Sequence, residues 1–204
     1  MKYKEINRIP VEDLNDIRND DGENDSNAIR TILKHYLVEL NQILALNKKP
    51  LLKLNDITID LDDEIDNHHS NIMSVKISCG VFRFQLEEQF NNCGILVSTR
   101  TWVAYTNIGI GTFLHAIKED IACVNGYSFM MYTDSISNSD TLLKPNTKIM
   151  ESIGTKRIFK GYNTRSGNFI AIWMKDLTSY YNKRQDKENK IKNKNLETLT
   201  ELPF

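Results

Sequence analysis

The sequence predicts a layered α/β fold of the α+β kind, in which helices flank a mixed, mostly antiparallel central sheet. A helical period runs through residues 27–46, strand-like runs with alternating apolar residues follow, and the second half alternates strands with helices. The chain has 204 residues, which is enough for one domain with a core of its own. It contains no apolar run of about 18 residues, so we expect no membrane span.

The first 25 residues form a polar segment in which we expect a short helix near 11–18. After it, apolar side chains recur at helical spacing, and Asp25 or Ser26 can cap the first turn. This pattern predicts a helix over 27–46. The polar segment is strongly acidic, but its carboxylates lack the spacing of a calcium loop, so a solvated loop is expected there.

Strand-like alternation begins after this helix. The alternation over residues 56–61 predicts one strand, and residues 62–70 predict an acidic turn that carries two histidines. Within 72–86 the apolar phase slips by one position at Gly80, which indicates either a bulge in one long strand or a turn between two short ones. Residues 94–103 predict a further strand.

Residues 110–124 have the spacing of an amphipathic helix, which Asn125 and Gly126 close, and a strand over 129–133 follows. The apolar stripe of this helix consists of Phe113, Leu114, Ile117, Ile121 and Val124. Four polar residues lie off that stripe, namely His115, Lys118, Glu119 and Asp120.

The remaining elements are a short helix near 145–153 and two strands, 157–162 and 168–174, joined by a tight hairpin turn. We therefore expect the main domain over 26–177. It lies between the polar N-terminal segment and a basic C-terminal tail over 178–204, which we expect to be helical or frayed.

Composition narrows the classes of function. The net charge of −1 gives no global nucleic-acid footprint, although the basic tail leaves a weak contact with nucleic acid open. The three cysteines and four histidines fit no metal-ligand spacing, so no metal is expected. Reduced thiols are typical of a cytoplasmic protein, which is the location that we expect.

The segment most suggestive of chemistry is Tyr105–Thr112, which joins a strand to the amphipathic helix. Gly109 and Gly111 allow backbone N–H groups to approach a bound anion, and the helix N-terminus adds about half a positive charge. Such a loop can cradle a phosphate or pyrophosphate. It has neither the GK[ST] of a Walker A loop nor the third glycine of the dinucleotide fingerprint, because residue 114 is leucine.

This segment resembles the signature of the GNAT N-acyltransferase superfamily, Arg/Gln-x-x-Gly-x-Gly/Ala, in the register Thr106-Asn107-Ile108-Gly109-Ile110-Gly111. The end of the next helix, from Met150 to Gly154, is similar to the family's YEKLGF helix end, and the turn at 165–168 suits its last two strands. The resemblance covers residues 94–177 and implies a GNAT-like fold. Residues 26–90 agree with the family in element order only.

The resemblance implies an acetyl-CoA-dependent N-acetyltransferase, with acetyl-CoA as cosubstrate and direct attack by an amine. It implies that the pyrophosphate rests on backbone amides of the loop. The pantetheine arm would lie beside the fourth strand, where that strand splays from the fifth and offers an oxyanion-type contact. The cofactor-binding residues implied in this way are Thr101, Trp102, Val103, Thr106, Asn107, Ile108, Gly109, Ile110, Gly111 and Thr112.

The sequence departs from the family pattern at several functional positions. Thr106 and Asn107 stand where the family usually has Arg or Gln and Gly, so the cradle has one charge fewer. Met150 stands in the position of the tyrosine that often protonates the departing thiolate. Tyr132 and Tyr162, on nearby strands, are candidate catalytic replacements.

A general base is also not obvious. Asp134 is the first candidate, because it follows the fifth strand where the cleft opens. Glu87 and Glu88 are a second option. An amine that arrives neutral needs no base.

Two further interpretations stay open. The missing Arg and Tyr are also typical of an inactive GNAT-like module that binds a protein partner through its unevenly charged ends. In an unrelated α+β binding domain, Gly109 and Gly111 would only shape a turn. The sequence also leaves open whether the acceptor is a protein amine, a small-molecule amine or an amino-bearing modified base, and whether the chain forms a homodimer.

Overall fold

The computed structural model of the chain describes residues 6–20, 25–64, 72–88, 93–136, 149–164 and 168–200. The helices are α1 (Val11–Asp20), α2 (Asp25–Leu46), α3 (Ile110–Val124), α4 (149–152) and α5 (Leu177–Thr200), with a 3₁₀ turn at Leu54–Asp56. The strands are β1 (Thr58–Glu64), β2 (Ile72–Ser78), β3 (Phe82–Glu88), β4 (Ile95–Val103), β5 (Phe129–Ile136), β6 (Lys156–Asn163) and β7 (Asn168–Asp176).

The strands form one seven-stranded sheet in the order β1-β2-β3-β4-β5-β7-β6. Neighbouring strands are antiparallel except β4 and β5, which are parallel. Parallel neighbours need a crossover connection, and α3 supplies it. The predicted fold class, a mostly antiparallel mixed sheet flanked by helices, is confirmed.

The main core lies between one face of this sheet and the helices. Residues paired across strands share a face, so β2 to β5 present one apolar surface formed by Val75, Ile77, Phe84, Leu86, Leu96 and Met130. Helix α3 contacts α2 as well as β4 and β5. All residues from 113 to 122 are buried, so the polar side chains off the predicted stripe are buried too.

Strands β4 and β5 pair only over their first halves. The pairs run from Ile95 with Phe129 to Ser98 with Tyr132. Beyond Ser98, β4 stays bonded to β3, and beyond Tyr132, β5 stays bonded to β7. The two parallel strands therefore separate, and we call the opening between residues 99–103 of β4 and 133–136 of β5 the fork. The splaying that the family resemblance implied is thus present.

A β-bulge lies where the fork begins. Gln85 pairs with Arg100 and Leu86 pairs with Ser98, so Thr99 has no partner residue in β3. An extra residue of this kind bends its strand and increases the local twist. The bulge therefore helps to turn the end of β4 away from β5.

Most element boundaries agree with the prediction, and α3 has the predicted bounds. At Gly80 the chain makes a turn between β2 and β3, where the Cys79 N–H donates to the Phe82 carbonyl at 2.8 Å, so the second of the two alternatives is right. The prediction of a turn is wrong for residues 62–64, which belong to β1 and pair with β2. The rest of that turn and the hairpin turn at 165–167 lie outside the described residues.

Both terminal segments pack against the core. The short helix predicted near 11–18 is present as α1, in which Val11 and Leu14 lie three positions apart and are both buried. The prediction of a solvated loop is therefore wrong for the acidic residues that lie within this helix. The basic tail forms α5, which buries Leu177 and Tyr181 near its start. The division into segments at residues 25 and 178 stays a prediction. In the parts of the chain that the structure describes, no helix combines the length and apolar character of a membrane span.

Candidate functional site

The loop between β4 and α3 has the backbone conformation expected of an anion cradle. Asn107 and Gly109 both have positive φ, at 63° and 97°. Gly109 is the N-cap residue of α3, no side chain caps it, and its carbonyl accepts from the Phe113 N–H at 3.2 Å. The N–H groups of the first helical turn therefore have no intrahelical acceptor and remain available to a ligand.

The surface over this loop is open. A Cβ atom added at Gly109 or Gly111 would meet no atom within 4 Å. Thr106 and Asn107 are exposed, and the first turn of α3 contains no acidic residue. The partial positive charge of the helix N-terminus is therefore not offset by a neighbouring carboxylate within that turn.

Two other features anchor and charge the loop. Ile110 is 1% exposed and fixes the start of α3 in the core, while Ile108 packs against the same core. Lys49, just after α2, places its Nζ 4.7 Å from the centroid of the Tyr105 ring. Thus a lysine from elsewhere in the chain supplies a positive charge near the loop, in which Thr106 stands at the Arg or Gln position of the resembled signature.

The last residues of β4 form one wall of the fork. Thr101 and Trp102 are exposed, the latter at 44%, and Val103 is half-buried. All three pair with β3 on one edge, and none pairs with β5 on the other. An unpaired strand edge can bind an extended ligand through main-chain hydrogen bonds. This position suits the ligand arm that the resemblance implied, although these cofactor-binding residues stay a prediction.

Lys118 is a residue of the fork that the sequence did not single out. It is 0% exposed, and its Nζ donates to Ser98 Oγ at 3.0 Å and to Thr101 Oγ1. These two residues flank the bulged Thr99. Burial lowers the pKa of Lys118 to about 7, against an opposing effect of the nearby Glu119 charge. The only sequence signal was a lysine off the apolar stripe of α3.

Thr99 also has an unsatisfied polar group. Its Oγ1 is buried and finds no hydrogen-bond partner among the residues that the structure describes. Buried hydroxyl groups are normally hydrogen-bonded, so this one remains available to a partner at the start of the fork.

Tyr132 lies at the closed end of the fork, opposite Ser98. It is 2% exposed, and its Oη donates to Glu119 Oε1 at 3.3 Å and to Met130 Sδ at 3.2 Å. Burial and the Glu119 charge raise the pKa of Tyr132 well above its ordinary value. The phenol therefore stays protonated near neutral pH and keeps a proton to donate.

The other predicted catalytic residues are not gathered at one point. Tyr162 is exposed on β6, an edge strand separated from β5 by β7, and its ring packs on Phe169. The prediction that Asp134 follows the fifth strand is wrong, because β5 continues to Ile136 and Asp134 pairs with Ala171 of β7, beyond the last pair with β4. Its side chain lies outside the described residues. Glu87 and Glu88 pair with the first half of β4, at the closed end of the fork. None of these four roles is established, and all stay predictions.

A second group of buried charges occupies the residues that follow Lys118. Glu119 Oε2 pairs with Arg8 at 2.9 Å and with Lys175 at 2.8 Å. Asp120 pairs with Arg8 and accepts hydrogen bonds from two tyrosine hydroxyls, those of Tyr36 and Tyr181. This buried ion network joins the N-terminal segment, α2, α3, β7 and α5.

An open cleft of about 1450 Å³ runs beside α3, between it and residues of β7 and α5. His115 lines this cleft, and its ring packs edge-on against Tyr132 with centroids 4.9 Å apart. Burial and the charges of Lys118 and Lys175 hold the pKa of His115 well below its ordinary value. The imidazole is therefore neutral near pH 7 and adds a proton acceptor that the sequence did not indicate.

Comparison with known proteins yields matches in structure only. No family profile matches the chain, and no curated protein matches it. Among solved structures, it is similar to an acetyltransferase assigned to the GNAT family from Desulfovibrio desulfuricans, with 13% identity and a TM-score of 0.42 over 52% of this chain and 69% of that one.

It is also similar to the ribosomal-protein-S18-alanine N-acetyltransferase from Escherichia coli, with 13% identity and a TM-score of 0.41 over 59% of this chain and 94% of that one. A third match is a streptothricin acetyltransferase from Bacillus anthracis in complex with acetyl coenzyme A, with 12% identity and a TM-score of 0.40 over 59% of this chain and 83% of that one. These similarities concern the fold of a segment of the chain and say nothing about its acceptor.

Proposed function

We propose that the protein is an acetyl-CoA-dependent N-acetyltransferase that passes the acetyl group directly to an amine. The observation that carries the proposal is one juxtaposition. The open fork between β4 and β5 leads, at the end of β4, directly into an uncapped helix N-terminus with two glycines whose surroundings are open.

The loop and the start of α3 would hold the pyrophosphate of acetyl-CoA. Backbone N–H groups of the first turn and the partial positive charge of the helix favour an anion there. Lys49 beside Tyr105 adds a full positive charge to the same loop. Gly109 and Gly111 leave space for the phosphates to approach the backbone.

The pantetheine arm would then extend along the unpaired edge of β4, from Val103 toward the bulge at Thr99. The orphaned Thr99 hydroxyl gives a polar contact at the inner end of this path. In the reaction, the acceptor nitrogen attacks the carbonyl carbon of the thioester, and the carbonyl oxygen takes negative charge. The carbon–sulfur bond then breaks. Hydrogen-bond donors near the bulge would stabilise that oxygen.

The acceptor is an amine of a protein, a small molecule or a modified base, and screening these three classes would identify it. His115, neutral and close to Tyr132 at the closed end of the fork, is a further candidate base beside Asp134.

Calorimetric titration with acetyl-CoA and with CoA tests the proposal. We expect the wild-type protein to bind both with a Kd on the order of micromolar. The Gly111→Glu variant should lose binding at least tenfold, because it puts a negative side chain into the cradle. Glutamate in a first helical turn does not weaken the helix itself, so the fold should persist.

Gly80→Glu is the matched control, since Gly80 also has no atom within 4 Å of an added Cβ and lies in the β2–β3 turn. It should bind like the wild type. If the folded wild-type protein binds neither ligand, the transferase proposal is wrong and the partner-binding module is favoured. If Gly111→Glu binds normally, the cradle has been assigned to the wrong loop.

A further inference from the structure

Lys118 carries a buried charge directly beside the fork. Its side chain is 0% exposed, and its Nζ donates to Ser98 Oγ and Thr101 Oγ1, the two β4 hydroxyls on either side of the bulge. The Nζ also lies 5.3 Å from the centroid of the Phe84 ring. The lysine is therefore held by strand residues that border the proposed ligand path.

Lys118 forms no ion pair with a described residue, and the neighbouring carboxylates of α3 pair instead with Arg8, Lys175 and Arg184. A buried ammonium without a close counter-charge is costly, and a negative charge that develops nearby would relieve that cost. The fork is where the proposed reaction develops one, on the departing sulfur.

Few titratable groups face Lys118. On α3 itself Glu119 raises its pKa, and Lys118 in turn lowers the pKa of His115. Its contacts with described residues of β4 are hydrogen bonds that it donates to two hydroxyl groups, and its contact with β3 is a phenylalanine ring. The two tyrosines near this part of α3 donate to other residues, Tyr132 to Glu119 and Tyr36 to Asp120.

We propose that Lys118 stabilises and protonates the thiolate that leaves during acetyl transfer, acting through the hydroxyl of Thr101. This inference rests on the proposed function. Thr101 is an exposed residue of the fork, and its Oγ1 accepts a partly buried hydrogen bond from the ammonium, so it stands between Lys118 and the proposed ligand path. The arrangement would fill the role left vacant by Met150, where the resembled family often has a tyrosine.

Thr101 and Lys118 would act in turn as proton donors when the thiolate leaves. When the carbon–sulfur bond breaks, its electron pair stays on sulfur. The Thr101 hydroxyl gives its proton to that sulfur and takes one from the Lys118 ammonium. The acceptor nitrogen loses a proton as its bond to the acetyl carbon forms, and that proton restores the ammonium through solvent. The products are an amide and the CoA thiol.

Lys118 suits this role better than Tyr132 does. Burial brings the pKa of Lys118 to about 7, so its ammonium can give up a proton near neutral pH, which a lysine with the ordinary pKa of 10.5 does not do. The pKa of Tyr132 is raised instead, and its hydroxyl already donates to Glu119 and Met130.

The test follows the ionisation of the thiol of bound CoA, by ultraviolet thiolate absorbance against pH, with desulfo-CoA as the blank. We expect the bound thiol to ionise at lower pH in the wild-type complex than in free CoA. Opposite charges nearby shift a pKa by about 1–3 units, so at pH 6, where Lys118 is charged, the wild type should hold about tenfold more thiolate than Lys118→Met. Lys34→Met, which removes an exposed lysine of α2, should match the wild type.

Two failures are distinguishable. If CoA and desulfo-CoA bind by calorimetry but the bound thiol ionises as in free CoA, the role of Lys118 is wrong while the proposed function stands. The same holds if Lys118→Met leaves the thiol titration unchanged. If neither ligand binds, both proposals fail. The comparison of bound with free CoA uses the wild-type protein alone. It therefore tests the role of Lys118 even if the Lys118→Met variant does not fold.

Discussion

Three consecutive residues of α3 carry buried charges, yet they lie in two very different surroundings. Glu119 and Asp120 are 1% and 0% exposed and contact arginine, lysine and tyrosine partners from four other parts of the chain. Lys118 is equally buried, but its hydrogen-bond partners are the uncharged hydroxyls of Ser98 and Thr101. Neighbouring residues of one helix therefore belong to a network of ion pairs on one side and to a cation held by neutral hydroxyls on the other.

We infer from this difference that the charges of Glu119 and Asp120 stabilise the fold, whereas the charge of Lys118 serves the proposed reaction. Removing one partner from a satisfied buried network leaves other charges uncompensated, so such a network is sensitive to mutation. A buried charge without a counter-ion lowers stability in the resting protein, and residues of this kind concentrate at functional sites. On this basis the two regions should respond in opposite directions when their charges are removed.

The largest expected effect is on the network side. Asp120→Ala should lower the free energy of unfolding by about 3–5 kcal/mol, because Arg8 and two buried tyrosine hydroxyls lose their acceptor. Urea denaturation measures the change. Asp16→Ala, on the exposed side of α1, is the control and should stay within about 0.5 kcal/mol of the wild type. A loss no larger than that of the control would show that the network does not hold the N-terminal segment and α5 in place.

The second prediction is a mutation that removes a buried charge and stabilises the protein. Lys118→Met should raise the free energy of unfolding by about 1–4 kcal/mol near pH 6, because it replaces an unpaired buried ammonium by an apolar chain. The pKa of Lys118 is about 7 when folded and 10.5 ordinarily. Between these values the unfolded wild-type chain binds a proton that the folded chain does not, so wild-type stability rises with pH there.

The advantage of Lys118→Met should accordingly be complete below pH 7 and vanish as the pH approaches 10.5. Urea denaturation of both proteins across this range checks it, with Lys34→Met as the control whose difference from wild type is independent of pH. A variant that is destabilised at all pH values would mean that Lys118 is already balanced and belongs with the network.

These two regions also separate what the sequence could predict from what it could not. The bounds of α3 follow from local signals, an apolar stripe between Gly109 and the Asn125-Gly126 pair. The loop and its two glycines were found in the same way. The burial of Glu119 and Asp120 depends on Arg8 and on side chains of α5, more than 60 residues away in either direction, so no local period could reveal it.

The fork could be predicted from the sequence only in part. The separation of β4 from β5 was expected from the family resemblance, but the bulge at Thr99 was not. Residues 95–103 have no regular apolar alternation that would locate the bulge, which shows only in the pairing with β3. The residues of β4 that face the helices shift from Leu96 and Ser98 to Thr101 and Val103, which is a one-residue change of phase. Lys118 could be connected to this bulge only once the crossover of α3 was known.

The smallest predicted effect concerns the contribution of Lys49 to ligand binding at the loop beside the fork. Lys49→Ala removes the cation beside Tyr105, and we expect acetyl-CoA affinity to fall about two- to fivefold, because a partly exposed charge contributes at most about 1 kcal/mol. The loss should shrink at high salt, where exposed charges are screened. Calorimetric titration at two salt concentrations measures both, with Lys34→Ala on α2 as the control. An unchanged affinity at low salt would leave the backbone of the loop as the sole source of anion binding in the cradle, whereas a salt-dependent loss assigns Lys49 the place of the arginine that the loop sequence lacks.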